Sequence, residues 1–204
     1  SAMQDASGID LTQFQHWYSQ SGTPKLDVEL SYDEKAQTAT LKTKQSCPTT
    51  PGQGTKAPFL LPLRVSLFSA KGEQLPLQLE SGTTSDLTEM VLQITEAQQE
   101  FTFHGLESAP IPSLLRGFSA PVNLEYNYSD ADLALLLACD DDEFARWEAG
   151  QKLYTSAIFN LVQDHRQGTP LELNPVVVEA VKGVLETEGA EQALLAQALG
   201  LPSE

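Results

Sequence analysis

Cysteine is scarce in this sequence, which has only Cys47 and Cys139 among its 204 residues. The two lie far apart, in segments with the pattern of a strand end and a helix end, and neither belongs to a C-x-x-C or Cys/His grouping. We therefore expect two free thiols, as in a reducing cytosol, and this usage predicts a cytoplasmic location. A single long-range disulfide is the alternative that the sequence leaves open.

Basic residues and long apolar runs are also few. The 12 lysines and arginines stand against 28 aspartates and glutamates, which gives a formal net charge of −16. A phosphate backbone or an anionic bilayer repels such a surface, so we expect neither nucleic acid nor a membrane as a partner. No apolar stretch approaches the roughly 18 residues that a membrane span requires. At 41% hydrophobic residues, the chain can nevertheless build a core.

Histidine is too sparse to build a helical metal site. The motif H-E-x-x-H places two histidines and a glutamate on one helix, whereas His16, His104 and His165 are isolated and none precedes a glutamate. We interpret His104 as a partly exposed or hydrogen-bonded histidine, and His165 as a favourable group at a helix C-terminus. The sequence predicts no catalytic, cofactor-binding or metal-binding residue in this chain.

Three other segments resemble functional motifs only superficially. Residues 52–56 lack the G-x-x-x-x-G-K-[ST] spacing of a phosphate loop, and the prolines on either side favour a mobile hairpin connection. Ser81 lies in a polar loop without the G-x-S-x-G pattern of a nucleophile. The acidic run at residues 140–143 lacks the alternating ligands and central glycine of an EF-hand loop. We interpret it as favourable charge at the start of a helix.

Alternating apolar residues between positions 26 and 128 predict a β-sandwich. Leu26, Val28 and Leu30 share one side of a half-buried strand, and residues 38–43 form the return strand of a hairpin. The strongest strand signal covers residues 59–69, where Pro62 places the strand's beginning at a sheet edge or bulge. Shorter predicted strands follow at residues 75–79, 90–95, 101–104, 114–118 and 122–128. About eight short strands without helical periodicity are typical of an antiparallel, immunoglobulin-like sandwich.

The hydrophobic period becomes that of helices after residue 128. Ser129 and Asp132 have the spacing of a capping box, and leucines recur behind them. A longer helix is predicted over residues 142–167, ended by Gly168. Its expected apolar stripe comprises Phe144, Trp147, Tyr154, Ile158, Leu161 and Val162. The pair Asn174-Pro175 predicts another helix start, and a last short helix is expected over residues 191–199. The stripe of the helix after Pro175 is expected to comprise Val178, Val181, Val184 and Leu185.

Residues 10–24 read D-L-T-Q-F-Q-H-W-Y-S-Q-S-G-T-P and predict a short amphipathic helix that ends at Gly22 and Pro24. The run resembles the end of the catalytic domain of bacterial aminopeptidase N, a zinc metallopeptidase of the membrane alanyl aminopeptidase type. F-S-A-P-V-N-L-E-Y at residues 118–126 and F-A-R-W-E-A-G-Q-K-L at residues 144–153 carry the same resemblance. The expected anchoring residues of the first run are Leu11, Phe14, Trp17 and Tyr18.

The resemblance implies three parts in this α+β chain. Residues 1–23 would be a remnant of the catalytic domain's last helix and linker, residues 24–128 the immunoglobulin-like β-sandwich, and residues 129–204 the first helices of an all-α C-terminal domain. It also implies zinc in the parent enzyme, which removes N-terminal residues from peptides. Because the family's H-E-x-x-H and G-A-M-E-N motifs are both missing, we expect this chain, as a piece truncated at both ends, to be inactive alone.

The leading hypothesis is a non-catalytic segment that spaces the catalytic domain from the C-terminal helical domain of the same parent chain. Those two domains are then its partners, and the truncated helical face is expected to allow self-association. The alternative is a free-standing β-sandwich interaction module that binds a protein or a glycan. An H-E-x-x-H motif upstream in the gene would favour the first hypothesis.

Overall fold

The computed structural model describes residues 12–80, 86–186, 196 and 199–202. The chain divides into two compact units: the first comprises Ser1–Leu67 and Leu75–Asn127, and the second Phe68–Gln74 and Tyr128–Glu204. The first unit carries the β-sheets and the second the longer helices. A turn that lies between two β segments in sequence, Phe68–Gln74, therefore groups with the helices. The expected fold class, an immunoglobulin-like sandwich followed by a helical segment, is confirmed.

Seven strands form two sheets in the described part of the chain. They are β1 (Lys25–Asp33), β2 (Thr38–Ser46), β3 (Leu61–Phe68), β4 (Glu89–Ile94), β5 (Gln98–His104), β6 (Ile111–Leu114) and β7 (Asn123–Glu125). One sheet has the order β5-β2-β1-β7, and the other has the order β4-β3-β6. The predicted hairpin is present as β1 and β2, in which Lys25 lies opposite Ser46 and Asp33 lies opposite Thr38.

The apolar faces of the strands supply the core of the first unit. Leu26 and Val28 on β1, and Ala39 and Leu41 on β2, are each at most 4% exposed. Their period-two spacing puts them on one face of the sheet, as the sequence predicted. A one-residue slip of register would move them to the solvent face, so burial of these side chains fixes the hairpin's pairing.

Strand β3 occupies the middle of its sheet, although Pro62 predicted an edge or bulge at its beginning. Pro62 lies opposite Gln93 of β4. Strand β6 has four residues against eight in β3, so part of β3 has no neighbour from β6. A proline has no N–H to donate, so Pro62 adds no donor to the sheet at this position.

The prediction of a strand at residues 75–79 is wrong. Pro76 cannot donate to a ladder, and only separate backbone bonds remain, such as Leu75 N–H to the Leu67 carbonyl at 2.8 Å. Leu77 is nevertheless 1% exposed, so its apolar character reflects burial in the core without a strand. Leu79 is 40% exposed, so the alternating leucines indicated the burial of Leu77 but neither a strand nor a continuous buried face.

The prediction of a strand at residues 114–118 is also wrong, because only residue 114 belongs to a strand, β6. Leu115, Gly117 and Phe118 have φ values of 59°, 59° and 51°, and the chain forms the 3₁₀ turn Arg116–Phe118. Strands require strongly negative φ, so the backbone leaves the sheet here. Leu114 and Leu115 are buried on either side of this change, which explains why the apolar pattern predicted a strand.

Strand β7 pairs with β1 in parallel, whereas the sequence predicted an antiparallel sandwich throughout. Lys25 lies opposite Asn123, and Glu125 lies opposite Asp27. The N–H of Asn123 also donates to the carbonyl of Pro24 at 2.9 Å. A parallel pair needs a long connection, and the five strands β2 to β6, from both sheets, lie between β1 and β7 in the chain.

Four α-helices lie in the described residues. They are α1 (His16–Ser19), α2 (Asp130–Cys139), α3 (Glu143–Gln167) and α4 (Pro175–Leu185). The predicted capping box begins α2: the Ser129 hydroxyl accepts from Asp132 N–H at 3.1 Å, and the Asp132 carboxylate accepts from Ser129 N–H at 3.0 Å. Gly168 ends α3 with φ of 70°, and Asn174 caps α4. These starts and stops follow from local sequence and confirm the predictions.

The buried face of α3 differs from the predicted stripe. Its buried residues are mainly small: Ala145, Ala149, Gly150, Leu153, Tyr154 and Ala157. Of the predicted stripe, only Tyr154 is buried, while Ile158 and Val162 are each 42% exposed. Small residues let neighbouring helices approach closely, and α2 packs against both α3 and α4.

The buried face of α4 is offset from the prediction in the same way. Val177, Ala180 and Val184 are buried, whereas Leu185 is 61% exposed. The helix predicted at residues 191–199 lies outside the described residues, apart from Ala196 and Leu199. Within the described part of the chain, no helix has the length and apolar character that a membrane crossing requires.

Candidate functional site

The segment at residues 12–22, here called the docked segment, is held against the sandwich of the first unit. It begins with the 3₁₀ turn Gln13–Gln15 and continues as α1. Gly22 follows with φ of 99°, a conformation that glycine adopts without strain. The predicted short helix with a terminating glycine is therefore present. This segment is the candidate functional site, because the side chains of Gln13, His16, Trp17 and Gln20 all bond to backbone groups of the sandwich.

Trp17 anchors the docked segment by packing and by a hydrogen bond. Its ring lies 4.7 Å from the ring of Phe59, centroid to centroid, and Phe59 is only 1% exposed. The indole Nε1–H donates to the carbonyl of Leu60 at 3.1 Å. A half-buried tryptophan thus has both an apolar contact and a partner for its polar atom, as buried indoles require.

Two further side chains of the docked segment bond to sandwich carbonyls. Gln13 Nε2 donates to the carbonyl of Thr95 at 2.6 Å and to that of Pro58 at 3.3 Å. His16 Nδ1 lies 2.8 Å from the same Pro58 carbonyl. A carbonyl can only accept, so this contact selects the tautomer or charge state of His16 that carries a proton on Nδ1.

The side-chain amide of Gln20 also binds the sandwich, and it does so through paired hydrogen bonds like those of a backbone amide in a β-sheet. Its Nε2 donates to the carbonyl of Ala57 at 3.0 Å, and its Oε1 accepts from the N–H of Ala57 at 2.7 Å. One side-chain amide therefore satisfies both backbone groups of one residue. This geometry fixes the direction of the segment as well as its distance from the sandwich.

The loop between β2 and β3 closes around the end of the docked segment. Gln53 Oε1 accepts from Ser21 N–H at 2.8 Å, and Gln53 Nε2 donates to the carbonyl of Ser19 at 2.8 Å. The hydroxyls of Ser21 and Thr50 are 2.7 Å apart. Thr50 and Gln53 exchange two backbone bonds of 2.8 and 3.0 Å, which form a tight turn. The loop predicted as a mere hairpin connection thus binds the segment that precedes β1.

Gln45 supports the surface to which the segment docks. This side chain is 7% exposed; its Nε2 donates to the carbonyls of Phe59 at 2.9 Å and Glu96 at 3.1 Å, and its Oε1 accepts from Phe59 N–H at 2.8 Å. Buried amides need such partners. Gln45 thereby ties the end of β2 to the chain just before β3.

The opposite side of the docked segment presents two aromatic rings. Phe14 and Tyr18 are 40% and 84% exposed, and their rings meet edge to face with centroids 6.1 Å apart. Of the four residues expected to anchor the run, Trp17 is docked, Phe14 and Tyr18 face outward, and Leu11 lies outside the described residues. The sequence missed the glutamines of the contact, because no periodicity or motif distinguishes them from ordinary surface residues.

The two remaining histidines and the acidic run occupy positions that the secondary structure explains. His104 is half-buried at the end of β5, where its backbone N–H donates to the carbonyl of Gln78 at 2.9 Å. His165 lies exposed in the last turn of α3. Asp142 accepts from Ala145 N–H at 2.9 Å as the cap of α3, which supports the structural interpretation of the acidic run. Among the described residues, no group of three or more His, Cys, Asp or Glu could hold a metal ion.

The outer face of the four-stranded sheet carries a shallow groove of about 530 Å³. Its lining consists of Asp27, Glu29, Lys42, Thr43, Lys44, Gln98, Gln99 and Glu100. Lys42 pairs with Glu100 at 3.0 Å across the neighbouring strands. None of these lining residues is aromatic, so the groove lacks the stacking surface with which proteins commonly bind sugars and exposed rings.

Fold and sequence together define the class of this protein. The family model described as "Domain of unknown function (DUF3458) Ig-like fold" matches residues 22–127, and the one described as "Domain of unknown function (DUF3458_C) ARM repeats" matches residues 130–204. The chain belongs to this DUF3458 family, with an immunoglobulin-like domain followed by ARM-type helices.

The relatives of the chain are aminopeptidases. It is 41% identical to aminopeptidase N of Escherichia coli strain K12 over 202 residues, and 42% identical to aminopeptidase N of Haemophilus influenzae over 204 residues. These alignments cover 99% and 100% of this chain but 23% of each relative, so the chain spans about a quarter of their length. The resemblance to bacterial aminopeptidase N is confirmed.

A solved structure shares the fold over nearly the whole chain. The crystal structure of Legionella pneumophila aminopeptidase A in complex with aspartic acid aligns with a TM-score of 0.78 and 30% sequence identity. The alignment covers 98% of this chain and 21% of that protein. The chain therefore aligns with about a fifth of that larger protein.

Proposed function

We propose that the chain is a non-catalytic structural segment of an aminopeptidase, which spaces the catalytic domain from the C-terminal helical domain. The observation that carries this proposal is the docked segment, whose side chains contact four consecutive sandwich residues: they hydrogen-bond to Ala57, Pro58 and Leu60 and pack on the ring of Phe59. The alignment to about a quarter of aminopeptidase N supports it. The parent's activity, removal of N-terminal residues from peptides, is part of the proposal.

The geometry of the docked segment suits a rigid junction. Trp17 supplies packing, Gln20 fixes direction, and Gln53 grips the chain where it turns toward β1. Each neutral hydrogen bond contributes about 0.5–1.5 kcal/mol, so several together hold the segment in one orientation. Phe14 and Tyr18, on the side away from the sandwich, contact the catalytic domain in this proposal.

The helical unit supports a second contact within the parent. Its exposed large apolar residues are Ile158, Phe159, Val162, Leu171, Leu173, Leu185 and Leu201. Helical repeats bury such residues against neighbouring repeats, and the matching family is described as ARM repeats. We propose that these residues pack against further helices of the parent, and that the chain on its own self-associates through them.

The parent's metal is proposed to be zinc, and the residues described here do not fit it. Zinc in a peptidase needs three protein ligands around an open position. Of the three histidines, His16 is bonded to Pro58, His104 ends a strand and His165 ends a helix. Both cysteines are free, which supports the proposal that the parent works in the reducing cytosol.

The spacing role is tested in the parent enzyme. Trp17→Ala should lower kcat/KM for an alanyl anilide several-fold and increase proteolytic cleavage near residues 12–22, with bound zinc unchanged. Lys35→Ala, at an exposed turn residue, is the matched control and should alter neither. Unchanged activity together with unchanged cleavage in Trp17→Ala would contradict the spacing role.

The proposal that the chain is non-catalytic is tested with the chain on its own. The purified chain should not hydrolyse the anilide or bind zinc stoichiometrically. Hydrolysis that persists after contaminating peptidases are removed would contradict the proposal. Light scattering should show self-association that Phe159→Glu weakens, since Phe159 is 69% exposed. A strictly monomeric chain would contradict the proposed apolar contact.

A further inference from the structure

Cys47 and Lys56 form a close pair beside the docked segment. Lys56 Nζ lies 3.7 Å from Cys47 Sγ, donates to the carbonyl of Pro48 at 2.7 Å, and donates to the carbonyl of Ser21. An ammonium has three N–H donors, and these three acceptors match them. The side-chain nitrogen is thereby held in contact with the sulfur atom.

The thiol of this pair is reachable from solvent. Cys47 is half-exposed and lines a cavity of about 440 Å³. The other lining residues are Thr23, Lys25, Ser46, Pro48, Asn123 and Glu125. This space admits a small oxidant to Sγ. An exposed thiol beside a cation is the setting in which cysteine oxidation is site-selective.

We propose that Cys47 and Lys56 are a modification site, at which a hydroperoxide drives formation of a reversible sulfur–nitrogen bond between the two side chains. The inference rests on the contact between Sγ and Nζ and on the open cavity. It does not depend on the aminopeptidase proposal. The co-reactant is a hydroperoxide, of which hydrogen peroxide is the simplest.

The chemistry balances in two steps. In the first, the Cys47 thiolate attacks one peroxide oxygen, the O–O bond breaks, and the leaving hydroxide takes a proton from the Lys56 ammonium to give water. In the second, the neutral amine of Lys56 attacks the sulfenic sulfur, the S–O bond breaks, and the departing hydroxide takes a proton from nitrogen. Thiolate, ammonium and one peroxide thus become a sulfenamide and two waters.

Formation of the sulfur–nitrogen bond changes the hydrogen bonds that Lys56 makes to the docked segment. The Lys56 nitrogen keeps one N–H after bonding to sulfur, whereas the ammonium donates to Ser21, Pro48 and Cys47. The positive charge is also lost. Oxidation therefore removes charge-assisted bonds at the end of the docked segment, and a thiol reductant that cleaves the S–N bond restores them.

The experiment uses the full chain carrying Cys139→Ser, so that Cys47 is the single thiol. After treatment with hydrogen peroxide and digestion with trypsin, the peptide that contains both Cys47 and Lys56 should be about 2 Da lighter and uncut after Lys56, because the two side chains within it are joined. Dithiothreitol should restore the mass of this joined peptide. Lys56→Arg keeps a cation but cannot form this bond, so the joined peptide should disappear. Lys44→Arg, at an exposed lysine of β2, is the matched control and should keep it.

Three results would overturn the proposal. One is a Cys47 that stays reduced under peroxide that oxidises a free thiol peptide. Another is oxidation of Cys47 to sulfinic acid without any joined peptide in the Lys56-containing chain. The third is a joined peptide that persists unchanged in Lys56→Arg, since Cys47 would then be bonded to another group.

Discussion

Trp17 packs its indole on the ring of Phe59, with centroids 4.7 Å apart, and donates its Nε1–H to the carbonyl of the next residue, Leu60. The apolar contact and the hydrogen bond therefore reach two adjacent residues just before β3 begins. A single side chain sets both the depth and the rotation of the docked segment. The side-chain amide of Gln45 in turn forms two hydrogen bonds with the backbone N–H and carbonyl of Phe59, so the anchor rests on a rigid surface.

Trp17→Ala should loosen the docked segment more than the sandwich. A fully buried aromatic residue costs about 3–5 kcal/mol on truncation, and the half-buried Trp17 should cost about 2 kcal/mol. Hydrogen exchange at residues 12–22 would report the local loss. Trp17→Phe keeps the ring contact and loses only the Nε1 bond, so it should cost about 1 kcal/mol. Equal effects of the two variants would contradict the importance of the packing.

Gln45→Leu should destabilise the first unit strongly. The substitution leaves the N–H and carbonyl of Phe59 and the carbonyl of Glu96 without their side-chain partner, and each buried unsatisfied group costs about 1–3 kcal/mol. Urea unfolding should show a loss of about 3 kcal/mol. Gln98→Leu, at an exposed glutamine, is the matched control and should change stability by about 0.5 kcal/mol or less. A similar loss for both variants would refute the special role of Gln45.

Gly72 and Gly52 allow conformational strain to be separated from steric overlap. Both have similar positive φ, 82° and 81°. A Cβ at position 72 would overlap Cys139 Sγ and lie 3.0 Å from its Cβ, whereas a Cβ at position 52 meets nothing within 4 Å. Gly52→Ala should therefore cost about 1 kcal/mol of unfolding free energy through strain, and Gly72→Ala about 1–3 kcal/mol more.

Cys139→Ala provides the test of that overlap. It removes the sulfur that a Cβ at position 72 would meet, so it should recover part of the stability lost in Gly72→Ala. It should recover none of the stability lost in Gly52→Ala. Thermal or urea unfolding of the single and double variants measures the coupling. Equal costs for the two glycine substitutions would show that the turn shifts freely away from Cys139.

Tyr154 should make stability fall in alkaline solution. Burial raises the pKa of this phenol above its ordinary value of 10.0. Above pH 10 the unfolded chain loses the phenolic proton while the folded chain keeps it, so the unfolding free energy falls as pH rises. Urea unfolding at pH 9 and pH 11 should show a smaller alkaline loss in Tyr154→Phe than in the parent sequence. Tyr18→Phe, at a residue 84% exposed, should leave the loss unchanged; equal slopes in all three chains would contradict the argument.

The sequence correctly predicted features that depend on interactions between residues close together in the chain. Examples are the capping box at Ser129 and Asp132, the cap at Asn174 and the stop at Gly168, each of which depends on residues within four positions. Such signals can be recognised without knowing the fold. The β1–β2 hairpin is predictable for the same reason, because its alternation and its turn are contiguous.

The sequence did not predict features that depend on contacts with residues far away in the chain. Residues 75–79 have a strand-like pattern, yet Pro76 and the long-range burial of Leu77 replace the strand with irregular chain. The stripe of α3 was assigned to its largest apolar residues, whereas the close approach of neighbouring helices buries Ala145, Ala149 and Ala157. Neither outcome follows from hydrophobicity, because both depend on the shape of the surface that covers the segment.

The sequence by itself determined the fold class, the ends of the helices, the hairpin at the start of the sandwich and the resemblance to aminopeptidase N. These properties reside in periodicity, capping residues and short runs that the chain carries in order. Only the tertiary structure decided that Gln13, Gln20 and Gln53 grip the docked segment, and that Cys47 meets Lys56. Their partners lie up to 82 positions away. Polar side chains carry no signal of a partner until folding brings an unsatisfied carbonyl or N–H within about 3 Å of them.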